Sequence, residues 1–252
     1  MRFDVITLFP ELFAPFLNTG VTRRAFASGT VDVQLWNPRD HAEGNYRRVD
    51  DRPFGGGPGM VMMAPPLARC LQAIRTARAE APGTEAPVVL FSPIGEPLQH
   101  CAVARWATSQ GAVLLCGRYE GIDQRFIDAH VDVQISLGDF VLSGGEIAAL
   151  ALLDAVARLQ PGVLHEEGSH QFDSFNPALD GLLDCPHYTR PPEWEGRSVP
   201  PELLSGHHGQ IERWRRDQRL ALSAQHRPDL IVQARTAGAL SKSDEAALAR
   251  RG

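Results

Sequence analysis

The sequence predicts an α/β fold with a mainly parallel sheet, followed by a small helical domain. Over residues 1–160, short apolar runs alternate with segments of helical periodicity, the order typical of a parallel sheet covered by helices. Beyond a polar stretch at residues 161–177, the periodic segments of residues 178–252 are all helical. Of the 252 residues, 43% are hydrophobic, which is enough apolar surface for a core in each part.

The first domain, residues 1–160, is predicted to contain five strands and five helices. The clearest strand is the apolar run AVLLC, because glycines bound it and its composition suits burial on both faces of a sheet. In chain order, the strands are predicted at Phe3–Phe9, Val31–Trp36, Val88–Phe91, Ala112–Cys116 and Val133–Leu137. The helices are predicted at Glu11–Ala27, Pro65–Ala79, Gln99–Ser109, Asp123–Ala129 and Ile147–Leu159.

Residues 161–177 are interpreted as a mobile interdomain linker. They are rich in Gly, His, Glu and Pro and show no periodicity. Two further helices are predicted at Pro201–Arg219 and Asp229–Arg250. We expect them to form the second domain, residues 178–252.

The charge distribution distinguishes the two parts of the chain. A net charge of −5 argues against a protein that coats nucleic acid indiscriminately, since such proteins tend to be basic. Residues 1–175 carry 14 Lys+Arg and 20 Asp+Glu, whereas residues 176–252 carry 11 and 10. The carboxy-terminal part is therefore the more basic one.

We expect a cytoplasmic protein with reduced cysteines. No apolar run approaches the ~20 residues needed to cross a bilayer, and the amino terminus carries acids where a signal peptide carries only bases. Cys70, Cys101, Cys116 and Cys185 are 31, 15 and 69 residues apart. This spacing matches neither a zinc site nor a disulfide scaffold.

Two glycine-rich turns follow apolar runs and precede helical segments within residues 116–146. Gly117 and Gly121 bracket the first turn, and Ser143-Gly144-Gly145 ends the second, where Glu146 opens an apolar helix. Glycines let a ligand approach the backbone closely, although a glycine turn can also simply reverse the chain. A third turn, Leu90–Gly95, follows another predicted strand, and parallel sheets bind ligands at the carboxyl ends of their strands. Together the turns predict a binding site.

Other segments also have polar groups suited to chemistry. The loop Asp50–Met60, with four glycines, suits a ligand cradle or a flexible connection, but it lacks the lysine of a phosphate-binding P-loop. Asp173 lies between Phe172 and Phe175, where a carboxylate can accept a proton near neutral pH or merely cap a turn. Metal-ligand residue types occur in the linker, but their spacing supports no particular metal site and a solvated polar loop accounts for them better: His165, Glu166, Glu167, His170 and Asp173.

Within the predicted helix Pro201–Arg219, residues 211–219 carry four arginines around Trp214. Such a surface can contact phosphates with a stacking ring nearby, or it can be an ordinary solvated face, since acids are interleaved.

Four motifs, in this order, resemble those of a known family: DDRPFGGGPGM at 50–60, CGRYEGIDQR at 116–125, SLGDFVLSGGE at 136–146 and GLLDCPHYTRP at 181–191. Over nearly its whole length the chain resembles the bacterial tRNA (guanine-N1)-methyltransferases, which modify guanosine 37 beside the anticodon. These are SPOUT methyltransferases, so the resemblance implies a deep trefoil knot in the α/β domain, a homodimer and S-adenosylmethionine as methyl donor.

The resemblance also implies the site residues. S-adenosylmethionine would lie bent among the three turns, held mainly by backbone groups. The implied cofactor-binding residues are Leu90, Phe91, Ser92, Pro93, Gly95, Gly117, Arg118, Tyr119, Gly121, Leu137, Gly138, Phe140, Val141, Leu142, Gly144 and Gly145. The implied catalytic residues are Asp173 as general base, Arg158 to offset charge on the guanine, and Glu120 to position cofactor or guanine.

By the same resemblance, the tRNA anticodon arm is bound by both domains. The implied substrate-binding residues are Asp50, Gly55, Gly56, Gly57, Gly59, Arg213, Trp214, Arg215 and Arg216. The linker would order over the site, with Asp173 acting on the partner subunit's cofactor pocket. The resemblance also implies Mg²⁺ as a cofactor, but no residue of the sequence indicates where it would bind.

Four residues depart from the family's usual pattern. They are Phe140 in place of tyrosine, Ile94 and Glu96 in place of glutamine and arginine, and Phe172 in place of an acid. The departures bear on side-chain contacts of the cofactor turns and on the surroundings of the implied base.

Two alternatives belong to other functional classes. A noncatalytic RNA-binding module would bind no cofactor, and its glycine turns would be structural. A metal-dependent hydrolase would use the linker cluster and need no methyl donor.

Overall fold

The structure, a computed structural model, describes residues 1–79, 86–165 and 168–250. It divides the chain into two compact units, Met1–His165 and Glu166–Gly252. None of the helices in these described ranges is long and apolar enough to cross a membrane.

The first unit is built on a five-stranded sheet in which every pairing is parallel, which confirms the predicted sheet. Its strands are numbered together with a short antiparallel pair, β3 and β4, that lies outside the sheet. They are β1 Arg2–Ile6, β2 Asp32–Trp36, β3 Asp50–Asp51, β4 Val61–Met62, β5 Val88–Pro97, β6 Gly111–Leu115 and β7 Val133–Ser136. The sheet order is β2-β1-β6-β5-β7, so β6 lies at the centre.

Six α-helices are described in the first unit: α1 Phe13–Leu17, α2 Arg23–Ala27, α3 Ala64–Ala79, α4 His100–Ala107, α5 Gln124–His130 and α6 Glu146–Ala157. Short 3-10 helices occur at Pro10–Leu12 and Pro38–His41. Most bounds differ from the predicted ones by only a few residues. The single helix predicted over Glu11–Ala27 is wrong, because α1 and α2 are separate helices.

Two apolar cores lie on opposite faces of the sheet. Successive residues of a strand point to opposite faces, so Leu114 contributes to one core and Leu115 to the other. The first core includes α6 through Leu152 and Leu153, and the second includes α3. All five residues of β6 are buried, as its continuous apolar run predicted.

A buried polar cluster joins α3 to the sheet. Asp4 of β1 is fully buried, and its Oδ2 accepts a hydrogen bond from Arg78 Nε of α3 at 2.6 Å. Asp4 Oδ1 accepts from Arg2 Nη2 and from Trp36 Nε1, each at 2.8 Å. Because removing one partner leaves the other charge buried and unpaired, losing this carboxylate should cost about 3–5 kcal/mol of stability.

The second unit is mainly helical. Its elements are 3-10 helices at Ser169–Phe172 and Pro177–Leu179, a hairpin of β8 Glu193–Trp194 and β9 Arg197–Ser198, and helices α7 Pro201–Leu204, α8 His208–His226, α9 Pro228–Thr236 and α10 Lys242–Ala249. Each of the two predicted helices is thus divided in two. A small core packs α8, α9 and α10 together through Leu182, Leu220, Leu230, Ile231, Ala234 and Ala247.

A candidate ligand site at the carboxyl ends of the parallel strands

A pocket of about 280 Å³ lies in the first unit, beside the carboxyl ends of β6 and β7 and the middle of β5. Three segments form its walls: residues 90–95, which lie within β5 and do not follow it as predicted, the turn Gly117–Gly121 after β6, and the turn Leu137–Gly145 after β7. All the predicted cofactor-binding residues line the pocket except Gly95. Lining residues that the sequence reasoning missed are Ile122, Ile127, Ile135, Ser136, Ser143 and Ala148, whose apolar or small side chains carried no distinct signal.

The first wall is a bulge within β5. Phe91 and Glu96 both pair with Ile135 of β7, so the residues between them leave the sheet and return to it. Gly95 closes this bulge, because a Cβ at that position would overlap the backbone of Gln134 and Ile135. Gly95 therefore shapes the wall without lining the pocket.

The second wall, Gly117–Gly121, is hydrogen-bonded to the loop Asp50–Met60 and to β4. The amide of Glu120 donates to the carbonyl of Met60 at 3.0 Å, and the amide of Met62 donates to the carbonyl of Gly121 at 2.8 Å. A Cβ on Gly59 would overlap the side chain of Glu120. The loop Asp50–Met60 and Glu120 are thus in direct contact at the edge of the pocket.

The third wall, Leu137–Gly145, leads into α6. The amide of Gly145 donates to the carbonyl of Gly117 at 3.0 Å, which joins the third wall to the second. A Cβ on Gly145 would lie 2.8 Å from the Cα of Cys116. Phe140 and Val141 are exposed by 54% and 87%, so this wall presents apolar groups to solvent.

A buried acid, Glu146, lies beneath the second and third walls. Its Oε1 accepts from Thr7 Oγ1 at 2.9 Å, and its Oε2 lies 2.9 Å from Arg118 Nε. The second contact is an ion pair without hydrogen-bond geometry. Burial, with the negative charge of Glu146 adding to it, raises the pKa of the Cys116 thiol well above its ordinary value, so this thiol stays protonated.

The guanidinium of Arg118 contacts three groups besides Glu146. It donates to the carbonyl of Ser143 at 3.1 Å and to the hydroxyl of Ser143 at 3.5 Å, and it lies 4.4 Å from the ring centre of Phe9. The sequence motif predicted Arg118 but not its buried partner. The available signal was an acid directly after two glycines at the start of an apolar helix.

The predicted general base, Asp173, and the predicted charge-stabilising residue, Arg158, belong to different units. Arg158 follows α6 in the first unit and is half-buried. Asp173 directly follows the 3-10 helix Ser169–Phe172 in the second unit and is also half-buried. Of the linker cluster, Glu166 and Glu167 lie outside the described residues. Within the described ranges no group of three or more His, Cys, Asp or Glu could hold a metal ion.

Some arginines of α8 form ion pairs with acids of the second unit itself. Arg216 pairs with Asp180 at 2.7 Å and with Asp244 at 3.2 Å, and Arg213 pairs with Asp217. Although burial lowers the pKa of Arg216, hydrogen bonds to Asp244 and Asp180 raise it overall. Arg215 is 46% exposed and pairs with Glu212, and the ring of Trp214 packs edge-on against Tyr188 at 6.1 Å.

The chain is similar to known proteins over nearly its whole length. Residues 1–233 match the family described as tRNA (Guanine-1)-methyltransferase TrmD. The chain is 76% identical to a tRNA (guanine-N(1)-)-methyltransferase of Paracidovorax citrulli over 250 residues, covering 99% of this chain and 98% of the relative. Proteins of the same description are 72% identical in Polaromonas sp. and 74% identical in Albidiferax ferrireducens, with 99% of this chain and 96% and 99% of the relatives covered.

Proposed function

Since the chain belongs to the tRNA (guanine-N1)-methyltransferase family, we propose that it transfers a methyl group from S-adenosylmethionine to N1 of guanosine 37 in tRNA. The observation that carries this proposal is the pocket walled by the bulge of β5 and the two glycine-rich turns after β6 and β7, whose lining residue Glu120 contacts the loop Asp50–Met60. Methyl donor and guanine would meet at this boundary.

The residues present fit S-adenosylmethionine. Leu90, Ile122, Leu137 and Ala148 provide apolar surface for a purine ring, and the glycine-rich turns expose backbone groups for the polar ends. When bound, the cofactor supplies an electrophilic methyl group at its sulfonium. The turns would fix this group relative to the incoming guanine, and such positioning accounts for much of the rate of a two-substrate transfer.

Asp173 is proposed as the general base. Guanine N1 carries a proton at neutral pH, and its lone pair becomes available only when that proton leaves. Asp173 would accept the proton, and Arg158 would offset the negative charge that develops at O6. Glu120, which lines the pocket and touches Gly59, would orient the guanine against the cofactor.

The loop between β3 and β4 is proposed to read the guanine base. Asp50 lies in β3, and the loop's glycines, Gly55, Gly56, Gly57 and Gly59, leave the backbone open to a flipped-out nucleotide. Phe54, at 99% exposure, is available to stack on a base. In the second unit, Trp214 and Arg215, with Arg213 and Arg216 beside them, would contact the anticodon arm.

We further propose that the protein acts in the cytoplasm as a homodimer with the family's trefoil knot, and that Asp173 serves the partner subunit's pocket. The pocket lies in the first unit and Asp173 in the second, which is compatible with a site shared between subunits. The proposal assigns no magnesium site.

Methyl transfer to defined tRNA transcripts tests this function. The protein is incubated with radiolabelled S-adenosylmethionine and transcripts carrying guanosine or adenosine at position 37. We expect label only in the guanosine transcript. Asp173→Ala should lower turnover about 10²–10⁴-fold while cofactor affinity stays unchanged, because a general base acts on the chemical step.

Asp229→Ala is the matched control, since Asp229 is an exposed acid of the same unit. It should retain wild-type turnover. Cofactor binding without transfer to either transcript would reject the substrate assignment. Full turnover in Asp173→Ala would reject the assigned base.

A further inference from the structure

We propose that Glu146 is a positioning residue for S-adenosylmethionine binding, which it supports by holding Arg118 across two walls of the pocket. The inference rests on the proposed function and concerns the same site. Glu146 is not among the residues that line the pocket, so its action would pass through Arg118.

Glu146 is fully buried, and each of its carboxylate oxygens has a charged or hydroxyl group within 2.9 Å. Thr7, also fully buried, follows β1 and donates to Oε1. Arg118 follows β6 and approaches Oε2. Glu146 is the first residue of α6, so its carboxylate connects the carboxyl ends of the adjacent strands β1 and β6 with the amino terminus of that helix.

Arg118 extends this connection to the third wall. Its backbone lies in the turn Gly117–Gly121, while its side chain donates to the carbonyl of Ser143 and lies so close to Gly144 that a Cβ there would overlap the guanidinium. The side chain is only 18% exposed, and Phe9 covers one face of it. Arg118 thus spans the gap between two of the three walls.

An ordinary role in helix capping does not explain this arrangement. An acid in the first turn of a helix favours the helix dipole, but a solvent-exposed acid does so without the cost of desolvation. A buried carboxylate is retained at a cost unless it is paired, and here its pairing partner is the arginine that joins two ligand-binding turns. The position of this acid therefore indicates that it sets the spacing of those turns.

Removing the charge of Glu146 should release Arg118 and loosen both turns. Glu146→Gln keeps the size of the side chain and can still accept from Thr7, but it no longer pairs with the guanidinium. We expect the dissociation constant for S-adenosylmethionine, measured by calorimetry, to rise on the order of tenfold to a hundredfold, the range for residues that orient a binding group. The dissociation constant for tRNA alone should stay within about twofold, since the tRNA contacts do not use Arg118.

Asp4→Asn is the matched control. Asp4 is an equally buried, arginine-paired carboxylate of the first unit, but none of its partners lines the pocket. It should lower the melting temperature at least as much as Glu146→Gln while leaving cofactor affinity unchanged. A Glu146→Gln protein that loses stability but binds the cofactor with wild-type affinity would show that Glu146 is merely structural, and would overturn the proposal.

Hydrogen exchange of the protein without cofactor separates this inference from the proposed function. Exchange at the amides of residues 117–121 and 138–145 should accelerate in Glu146→Gln and not in Asp4→Asn. If the wild-type protein bound no S-adenosylmethionine, the proposed function would fail, whereas faster exchange in Glu146→Gln would still show that the pair of Glu146 and Arg118 holds the two turns together. Unchanged exchange in both turns would reject this role of Glu146.

Thr7→Val provides a second variant if Glu146→Gln does not fold. It preserves shape but removes the hydrogen bond to the carboxylate and the one that Thr7 Oγ1 accepts from the amide of Phe9 at 3.0 Å. Because the ion pair of Glu146 with Arg118 remains, we expect a smaller loss of cofactor affinity and a smaller rise in exchange at both turns than in Glu146→Gln. Wild-type affinity and exchange in this variant would count against the proposal.

Discussion

At the residue scale, Gly145 shows how the absence of a side chain shapes the site. Its amide bonds to Gly117, and the Cα of Cys116 lies where a methyl group would have to go. The obstructing atoms belong to the backbone of Cys116 and Gly117, directly after β6, so they cannot rotate away. The contact between the second and third walls therefore depends on glycine at this position.

Gly145→Ala should destabilise the protein by about 1–3 kcal/mol, the usual cost of forcing an extra carbon into a packed site. It should also weaken S-adenosylmethionine binding, since the two walls must separate. Thermal unfolding and calorimetry measure the two effects. Gly209→Ala is the control, because its Cβ would meet only ordinary contacts in α8. Equal melting temperatures and affinities for wild type and Gly145→Ala would show that the walls adapt.

Residue identities in the pocket were largely predictable, but their contacts were not. Glycines after apolar runs marked the turns, and motif resemblance supplied Arg118 and Glu120. The pairing of Arg118 with Glu146 was hidden, because the partners are 28 positions apart in sequence and only folding brings them to 2.9 Å. The same holds for Gly95, whose contact with β7 depends on a change of pairing register.

At the element scale, α10 depends on a capping box at its amino terminus. Ser241 accepts from the amide of Asp244, and Asp244 Oδ2 accepts from the amide of Ser241 at 2.9 Å. Arg216 of α8 also donates to Asp244 at 3.2 Å. Burial raises the pKa of Asp244, but hydrogen bonds from Arg216 and Ser241 lower it overall.

This lowered pKa gives the capping box a defined pH dependence. A carboxyl group whose pKa is lower in the folded state contributes stability above its unfolded pKa of about 3.9, and the contribution is lost as the pH falls towards the folded value. Asp244→Asn should therefore cost about 1–3 kcal/mol at pH 7, and less below about pH 4. Denaturant unfolding at several pH values measures the difference.

Asp229→Asn is the comparison for α10. Asp229 is an exposed first-turn acid of α9 paired with Arg227, so its loss should change stability little at any pH. A cost of Asp244→Asn that stayed constant down to pH 3 would contradict the assignment of this stability to the ionised carboxylate.

Helix positions were predictable from periodicity, whereas helix breaks were not. The three predicted helices that proved to be divided each contain a glycine with positive φ between the observed segments: Gly20, Gly206 and Gly238. The segments of the first pair, α1 and α2, share one core, as do those of the third, α9 and α10, so apolar periodicity continues across these two breaks and favours one longer helix. α7 has no buried residue, so no shared core accounts for the longer helix predicted across Gly206. The continuation of β5 to Pro97 was missed for a related reason, since the bulge interrupts its apolar run.

At the scale of the whole molecule, the proposed chemistry is divided between two units. The cofactor pocket and Glu120 belong to Met1–His165, and Asp173 belongs to Glu166–Gly252. The boundary falls within residues 161–177, which the sequence predicted as a linker. A polar, aperiodic stretch between two apolar segments is typical of such a boundary, but no sequence pattern states which subunit's pocket a given Asp173 serves.

Mixing two inactive variants tests whether the site is shared between subunits. Glu120→Ala impairs the pocket side, and Asp173→Ala removes the proposed base. In a mixed dimer with a shared site, one pocket has both an intact Glu120 and the partner's intact Asp173.

With random exchange of subunits, half the dimers are mixed. Each mixed dimer has one working site where a wild-type dimer has two, so turnover should recover to about one quarter of the wild-type value. If Asp173 serves its own subunit, no dimer has a complete site and the mixture stays as inactive as its components. Mixing each variant with itself controls for exchange conditions, and mixed dimers isolated with two different affinity tags establish that exchange has occurred.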